Sequence, residues 1–186
     1  MDILTLLVLA VGVSMDAFAV SVCGSMSLRT EERVAGAVRF GLWFGGFQAL
    51  MPVLGFFAAA QFRENISDYD HWIAFALLVY IGCKMIREAQ ESCALPKSSY
   101  STKAMLTLAV ATSIDALAVG VSFAFLAVNI WLAASMIGVV TFIFAFIGGL
   151  FGMRIGALGK SKAEIAGGLV LVFLGCKILY DHLWIV

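Results

Sequence analysis

The sequence predicts an all-α membrane protein with six transmembrane helices, arranged as two inverted repeats of three helices. Hydrophobic residues make up 62% of its 186 residues, and the mean hydropathy is +1.02, whereas soluble domains are about 45–50% apolar. Six apolar windows are each long enough to cross a hydrocarbon core of ~30 Å. One apolar motif, at residues 9–22, occurs again at residues 108–121.

The predicted spans follow one another with polar connections between them. They cover residues 3–25, 37–60, 72–85, 104–127, 130–152 and 165–183. The longest polar stretch divides the chain into a first repeat (residues 1–90), a cytoplasmic linker (residues 91–103) and a second repeat (residues 104–186). The stretch at residues 156–164 is expected to be the loop between the last two spans.

The duplication supports this division. The two copies of the motif read LAVGVSMDAFAVSV and LAVATSIDALAVGV and are identical at nine of fourteen positions. A second, shorter repeated segment reads IGCKMI at residues 81–86 and LGCKIL at residues 174–179. Because three is an odd number of spans, the second repeat must insert upside down relative to the first, which is the plan of many secondary transporters.

The basic residues predict the orientation independently. With the N-terminus outside, the basic residues on the inner side are Arg29, Arg33, Arg39, Lys84, Arg87, Lys97, Lys103, Arg154, Lys160 and Lys162, and those on the outer side are Arg63 and Lys177. Cytoplasmic segments carry such an excess. We therefore expect a multi-pass protein of the cell inner membrane with both termini on the outer, periplasmic side of the lipid bilayer.

Each copy of the motif places one aspartate, Asp16 or Asp115, in the middle of an apolar span. An ionised carboxylate there costs at least about 2.5–3.5 kcal/mol, so it usually serves a function. Small residues at helical spacing, among them Ser14 and Ser113, predict that spans one and four pack closely with the two carboxylates facing each other. Interhelical hydrogen bonding is the alternative role of these aspartates.

Two carboxylates at low dielectric repel each other, so one of them retains a proton that a divalent cation would displace. Oxygen ligands suit Mn²⁺, Mg²⁺ or Ca²⁺, and neutral oxygens are available nearby from Ser14, Ser113, Thr112 and Gln48. Competition between metal and protons at one site suits an antiporter.

Several charged residues are candidates for the ion pathway or its gates. Arg39, Lys162 and Glu164 are assigned there together with the uncharged Thr112, and for the charged residues the alternative is anchoring or helix capping. Lys84 and Lys177 are expected to extend to opposite membrane interfaces. The alternative for these two lysines is a gate formed with a carboxylate such as Glu88 or Asp181.

The sequence lacks the features that are typical of nucleic-acid-binding proteins, of enzymes and of proteins with disulfide frameworks or zinc sites. Net charge is zero and no basic run is interleaved with aromatics, so no nucleic-acid partner is expected. The sequence has no phosphate-binding loop and no nucleophile with a base at the midplane, so we expect neither an enzyme nor a cofactor. The four cysteines have no CxxC spacing, which indicates neither a disulfide framework nor a zinc site. No feature specifies an oligomeric state.

Four sequence segments carry a family resemblance. They are SMDAFA in the first span, HWIAF in the third, TSIDALAVG in the fourth and KAEIAGGL at the sixth. Together they resemble the bacterial MntP manganese efflux pumps over essentially the whole chain. The resemblance implies a six-helix inner-membrane protein that exports Mn²⁺ as its substrate, with Asp16 and Asp115 at the transport site. Some members of that family have acidic residues where this chain has Gly36 and Gln48.

We therefore expect a secondary transporter that exports Mn²⁺ in exchange for protons. Asp16 and Asp115 would bind the ion, with Gln48, Ser14 and Ser113 as neutral ligands. The alternatives are an exporter of another divalent metal, an exporter of a small organic cation or amino acid, and a membrane scaffold that transports nothing.

Overall fold

A computed structural model describes residues 3–26, 28–61, 70–90, 102–126 and 128–184. These residues form helices and turns, with no strand among them, which confirms the all-α prediction. The predicted loop at residues 61–71 and the predicted linker at residues 91–103 lie mostly outside the described residues.

Six helices are present in the described part of the chain. They are α1 (Ile3–Ser25), α2 (Arg33–Ala60), α3 (Asp70–Glu88), α4 (Thr102–Phe125), α5 (Ile130–Gly156) and α6 (Gly159–Asp181, continuing to Trp184). All of them except α3 are long and apolar enough to cross a membrane. The 19-residue α3 carries Lys84, Arg87 and Glu88 near its end, which lowers its hydropathy. The chain is a multi-pass membrane protein.

Two predicted boundaries differ from the structure. The sequence predicts a continuous fourth span, but α4 is interrupted at Ser113, between Thr102–Thr112 and Ile114–Phe125. The predicted loop at residues 156–164 is wrong, because only Gly156 leaves the helical region, with a φ of 65°. Glycine adopts this left-handed conformation without steric cost, so a single residue redirects the chain.

The packing of α1 and α4 also differs from the prediction. These two helices contact each other little; α1 packs mainly against α5 and α6, and α4 packs against α2 and α3. The Ser14 hydroxyl lies 2.8 Å from the Thr141 hydroxyl of α5, and Gly120 of α4 lies against Pro52 of α2. A stripe of small residues permits close approach, but it does not specify which helix approaches.

Glycines mark related contacts in the two halves of the chain. Gly55 of α2 lies against the backbone of Leu117 and Val121 in α4. Gly152 of α5 lies against the backbone of Val22 in α1. Val22 and Val121 are the last residues of the two motif copies. The end of each copy therefore meets a glycine from the second helix of the other half.

One cysteine departs from the sequence-based expectation. Cys23, near the end of α1, is disulfide-bonded, whereas Cys83 and Cys176 are free and exposed. The spacing of cysteines along a chain does not report which of them the fold brings together.

Candidate cation site

Asp115 begins the second half of α4, directly after the interruption at Ser113. The Ser113 hydroxyl donates a hydrogen bond to the Ala109 carbonyl at 2.6 Å, and such bonds from serine to the preceding turn bend helices. Asp115 thereby lies in the first turn of Ile114–Phe125, where the helix dipole favours a carboxylate. Its side chain is 7% exposed, so this carboxylate is buried.

Lys84 of α3 is the partner of Asp115. Its Nζ lies 3.0 Å from Asp115 Oδ1 and donates a hydrogen bond to that oxygen. The same Nζ is 3.9 Å from Glu88 Oε1, one turn further along α3. Lys84 therefore pairs with carboxylates, which is the alternative to a position at the membrane interface, and its nearest partner is Asp115 rather than Glu88. The attraction of a buried carboxylate outweighs the tendency of a lysine to reach water, because an unpaired charge in the interior is costly.

Asp16 enters the same group of charges from α1. It is half-buried and interacts electrostatically with Asp115, Lys84, Glu88 and Glu164. The contacts of one glycine explain how these helices come together. Gly167 of α6 lies against Gly12 and Met15 of α1 and against Met85 of α3. Asp16 follows Met15 and Lys84 precedes Met85 in the sequence, so these contacts bring the two charged residues into one region.

Two buried side-chain oxygens near this region are without a hydrogen-bond partner among the described residues, namely Asp115 Oδ2 and Gln48 Oε1. Gln48 is fully buried in α2, and its Nε2 donates to the Thr112 carbonyl at 3.5 Å. Thr112 lies directly before the interruption of α4 at Ser113, and Asp115 lies two residues after that interruption. Pro52 has no N–H group and leaves the Gln48 backbone carbonyl without its usual helical donor. These oxygens are of the kind that hard cations bind.

The remaining predicted ligands are engaged elsewhere. The Ser14 hydroxyl donates to the Ala10 carbonyl at 2.6 Å in addition to its contact with Thr141. The Thr112 hydroxyl donates within its own helix, to the Leu108 carbonyl at 3.0 Å. In the described contacts, the exposed Arg39 and Lys162 have no bond to the aspartates.

Glu164 is paired with Lys160 rather than with a residue of the site. The two side chains approach to 2.9 Å, and both are at least nine-tenths buried. Lys160 Nζ also donates to the Glu88 carbonyl at 3.0 Å. The pair therefore joins the start of α6 to the end of α3, close to the charged residues described above.

We expect Lys160→Met to lower the free energy of unfolding by about 3 kcal/mol, because it leaves the buried Glu164 without this partner. Lys162→Met is the matched control, since Lys162 is exposed two residues away. Thermal unfolding of the purified protein in detergent measures both. Equal midpoints for the two variants would show that the pair does not hold α6 against α3.

A cavity of about 350 Å³ lies along the last turns of α3. Its lining includes Tyr80, Cys83, Lys84, Arg87 and Glu88. Lys84 therefore has two environments within reach, the cavity on one side and Asp115 on the other.

The carboxylates do not form a ready-made metal cage. Among the described residues, no group of three or more His, Cys, Asp and Glu side chains is placed to hold a metal ion. In this arrangement Lys84 takes part of the coordination space of Asp115. Sequence reasoning offered Glu88, but not Asp115, as a partner of Lys84; the one available signal was that Lys84 and Lys177 occupy matching positions of the segments IGCKMI and LGCKIL.

Three comparisons with known proteins bear on this arrangement. A family model described as "Mntp: Putative manganese efflux pump" matches residues 31–179. A protein named "Putative manganese efflux pump MntP" from Acetivibrio thermocellus is 50% identical, with 100% of this chain and 94% of the relative aligned. Proteins of that name from Desulfitobacterium hafniense and Methanosarcina acetivorans are 49% and 48% identical, with 97% and 100% of this chain and 95% and 100% of each relative aligned. No solved structure matches the chain.

Proposed function

The chain belongs to the Mntp family of manganese efflux pumps, and we propose that it exports Mn²⁺ from the cytoplasm through a site that includes Asp16 and Asp115. One observation carries this proposal: one aspartate from each motif copy, the half-buried Asp16 and the buried Asp115, belongs to a single group of interacting charges. Ion binding is the use that best explains the cost of placing two carboxylates inside a membrane protein. The chain needs no cofactor for this transport.

Mn²⁺ would bind to Asp16 and Asp115, with Gln48 as the neutral ligand. Gln48 Oε1 is buried without a described partner, and an oxygen-rich site suits Mn²⁺. Ser14 and Ser113 would contribute only after a rearrangement, since their hydroxyls donate to backbone carbonyls.

We expect Gln48→Leu to weaken Mn²⁺ binding by about tenfold, the usual order of effect when a supporting group of a metal site is lost. Stability should change little, because the substitution removes a buried oxygen that lacks a partner and, with it, only a long hydrogen bond of 3.5 Å to the Thr112 carbonyl. Isothermal titration with Mn²⁺ and thermal unfolding separate the two effects. Unchanged affinity in a folded Gln48→Leu protein would remove Gln48 from the site.

The architecture we propose is an inverted repeat of residues 1–90 and 104–186, joined by a cytoplasmic linker at residues 91–103. The packing of the helices supports this architecture, because α1 of the first repeat packs on α5 and α6 of the second, and α4 of the second repeat packs on α2 and α3 of the first. The distribution of basic residues favours an inner-membrane protein with both termini outside. Rocking of one repeat against the other would expose the site to each side in turn.

The energy source we propose is exchange for protons. The chain has no phosphate-binding loop for nucleotide hydrolysis, so uphill export must use an ion gradient, and carboxylates that bind a metal also bind protons.

Reconstituted vesicles provide the test. We expect the purified protein to move Mn²⁺ into vesicles against its gradient when a pH gradient is imposed, and to stop when an ionophore collapses that gradient. Mg²⁺ and Ca²⁺ in the same assay report selectivity. Vesicles with protein that move no more Mn²⁺ than protein-free vesicles would overturn the proposed function.

A further inference from the structure

The contact between Lys84 and Asp115 affects how a cation can bind at this site. Lys84 Nζ lies 3.0 Å from Asp115 Oδ1, on the very carboxylate that the proposed function assigns to the ion. A divalent cation cannot share that oxygen with an ammonium group at low cost, since like charges at short range repel strongly in a low-dielectric interior.

A second acceptor for the Lys84 ammonium group lies close to the first. Glu88 Oε1 is 3.9 Å away on the next turn of the same helix, so the ammonium group can move to it by rotation of the lysine side chain alone. The cavity of about 350 Å³ that Lys84 and Glu88 help to line gives room for this movement. Glu88 is further tied to α6, because its backbone carbonyl accepts a hydrogen bond from Lys160.

We propose that Lys84 is the built-in counter-ion of the transport site: it neutralises Asp115 when no metal is bound and moves toward Glu88 when Mn²⁺ takes its place. This inference rests on the proposed function and adds to its site a residue that competes with the ion for Asp115. A site without Lys84 would hold Mn²⁺ more tightly, and Asp115 would have to take up a proton before the empty site could return across the membrane, because an ionised carboxylate there is costly.

The second repeat supplies a matched control. Lys177 stands at the position of α6 that corresponds to Lys84 in α3, within the repeated IGCKMI and LGCKIL segments. Its Nζ lies 3.4 Å from the Thr5 hydroxyl, and Thr5 is far along α1 from Asp16. The two lysines are therefore alike in sequence context and different in their partners.

The first experiment measures Mn²⁺ affinity of the purified full chain by isothermal titration. We expect Lys84→Met to lower the Kd by about tenfold or more, because a neighbouring positive charge is removed. Lys84→Arg should keep a Kd near that of the parent, and Lys177→Met should not change it. Glu88→Gln should raise the Kd, because the displaced Lys84 loses its alternative partner.

The second experiment uses vesicles loaded with Mn²⁺. We expect Lys84→Met to retain exchange of Mn²⁺ for labelled Mn²⁺, which needs only the loaded carrier, and to lose most net efflux, which needs the unloaded carrier to return. A lysine that served only structure would lower both rates together.

Two results would overturn the inference. One is a Kd for Lys84→Met that equals or exceeds that of the parent; the other is an equal gain in affinity for Lys177→Met. If Lys84→Met fails to fold, the Glu88→Gln titration decides, since that variant keeps the contact between Lys84 and Asp115. Failure of the proposed function itself would look different, because the parent protein would then bind and transport no Mn²⁺ at all.

Discussion

Asp115→Asn should abolish manganese export. Asparagine keeps the shape of the side chain but removes the negative charge from the buried group that Lys84 contacts at 3.0 Å. Asp16→Asn should have the same effect, because the second carboxylate comes from α1. In cells that lack their own exporter and are stressed with manganese, we expect either variant to leave cell manganese at the level of the empty vector.

The control is Asp181→Asn, an exposed carboxylate near the end of α6, which should export like the parent. Membrane levels of all four proteins must be matched by immunoblot. If Asp16→Asn and Asp115→Asn lower cell manganese as well as the parent does, the aspartates contribute to helix packing and not to transport.

Gly55→Ala should destabilise the protein strongly. A Cβ atom at Gly55 would overlap the carbonyl oxygen of Leu117, so α2 and α4 would have to separate. Overpacking of this kind costs about 3 kcal/mol, which corresponds to a fall of about 6–12 °C in the thermal midpoint for a chain of this size. Export should fall as well, because α2 and α4 carry Gln48 and Asp115.

Gly46→Ala provides the comparison within the same helix. A Cβ atom at Gly46 would meet nothing within 4 Å, and alanine favours a helix over glycine. We expect an unchanged or slightly higher midpoint for this variant. Thermal unfolding in the same detergent measures both, and equal midpoints would contradict the close contact of α2 with α4.

The sequence was most informative where composition and repetition act locally. Apolar windows of membrane-spanning length identify most of the helices, and the duplicated motif singles out Asp16 and Asp115 without any knowledge of their contacts. Both properties can be recognised from the local sequence, because hydrophobic length and the cost of a buried charge do not depend on which helices are neighbours.

Which helices pack against each other could not be predicted from the sequence in the same way. The stripes of small residues predict close approach, yet Ser14 meets Thr141 of α5 and Gly120 meets Pro52 of α2. The bond between Lys84 and Asp115 depends on that pairing. The partner of Glu164 depends instead on where α6 begins, since Lys160 lies one turn before Glu164 only when this stretch is helical and not a loop. A lysine near the end of a span has the same sequence context whether it reaches water or turns inward.

A double-mutant cycle on Mn²⁺ affinity determines whether Asp16 and Asp115 bind one Mn²⁺ ion together. Isothermal titration of the purified parent should give one ion per chain, and Asp16→Asn and Asp115→Asn should each raise the Kd at least about tenfold. Because residues that share a ligand are coupled, the double variant should bind little more weakly than either single variant. Fully additive losses, or a single variant with the affinity of the parent, would show that the two aspartates do not share an ion.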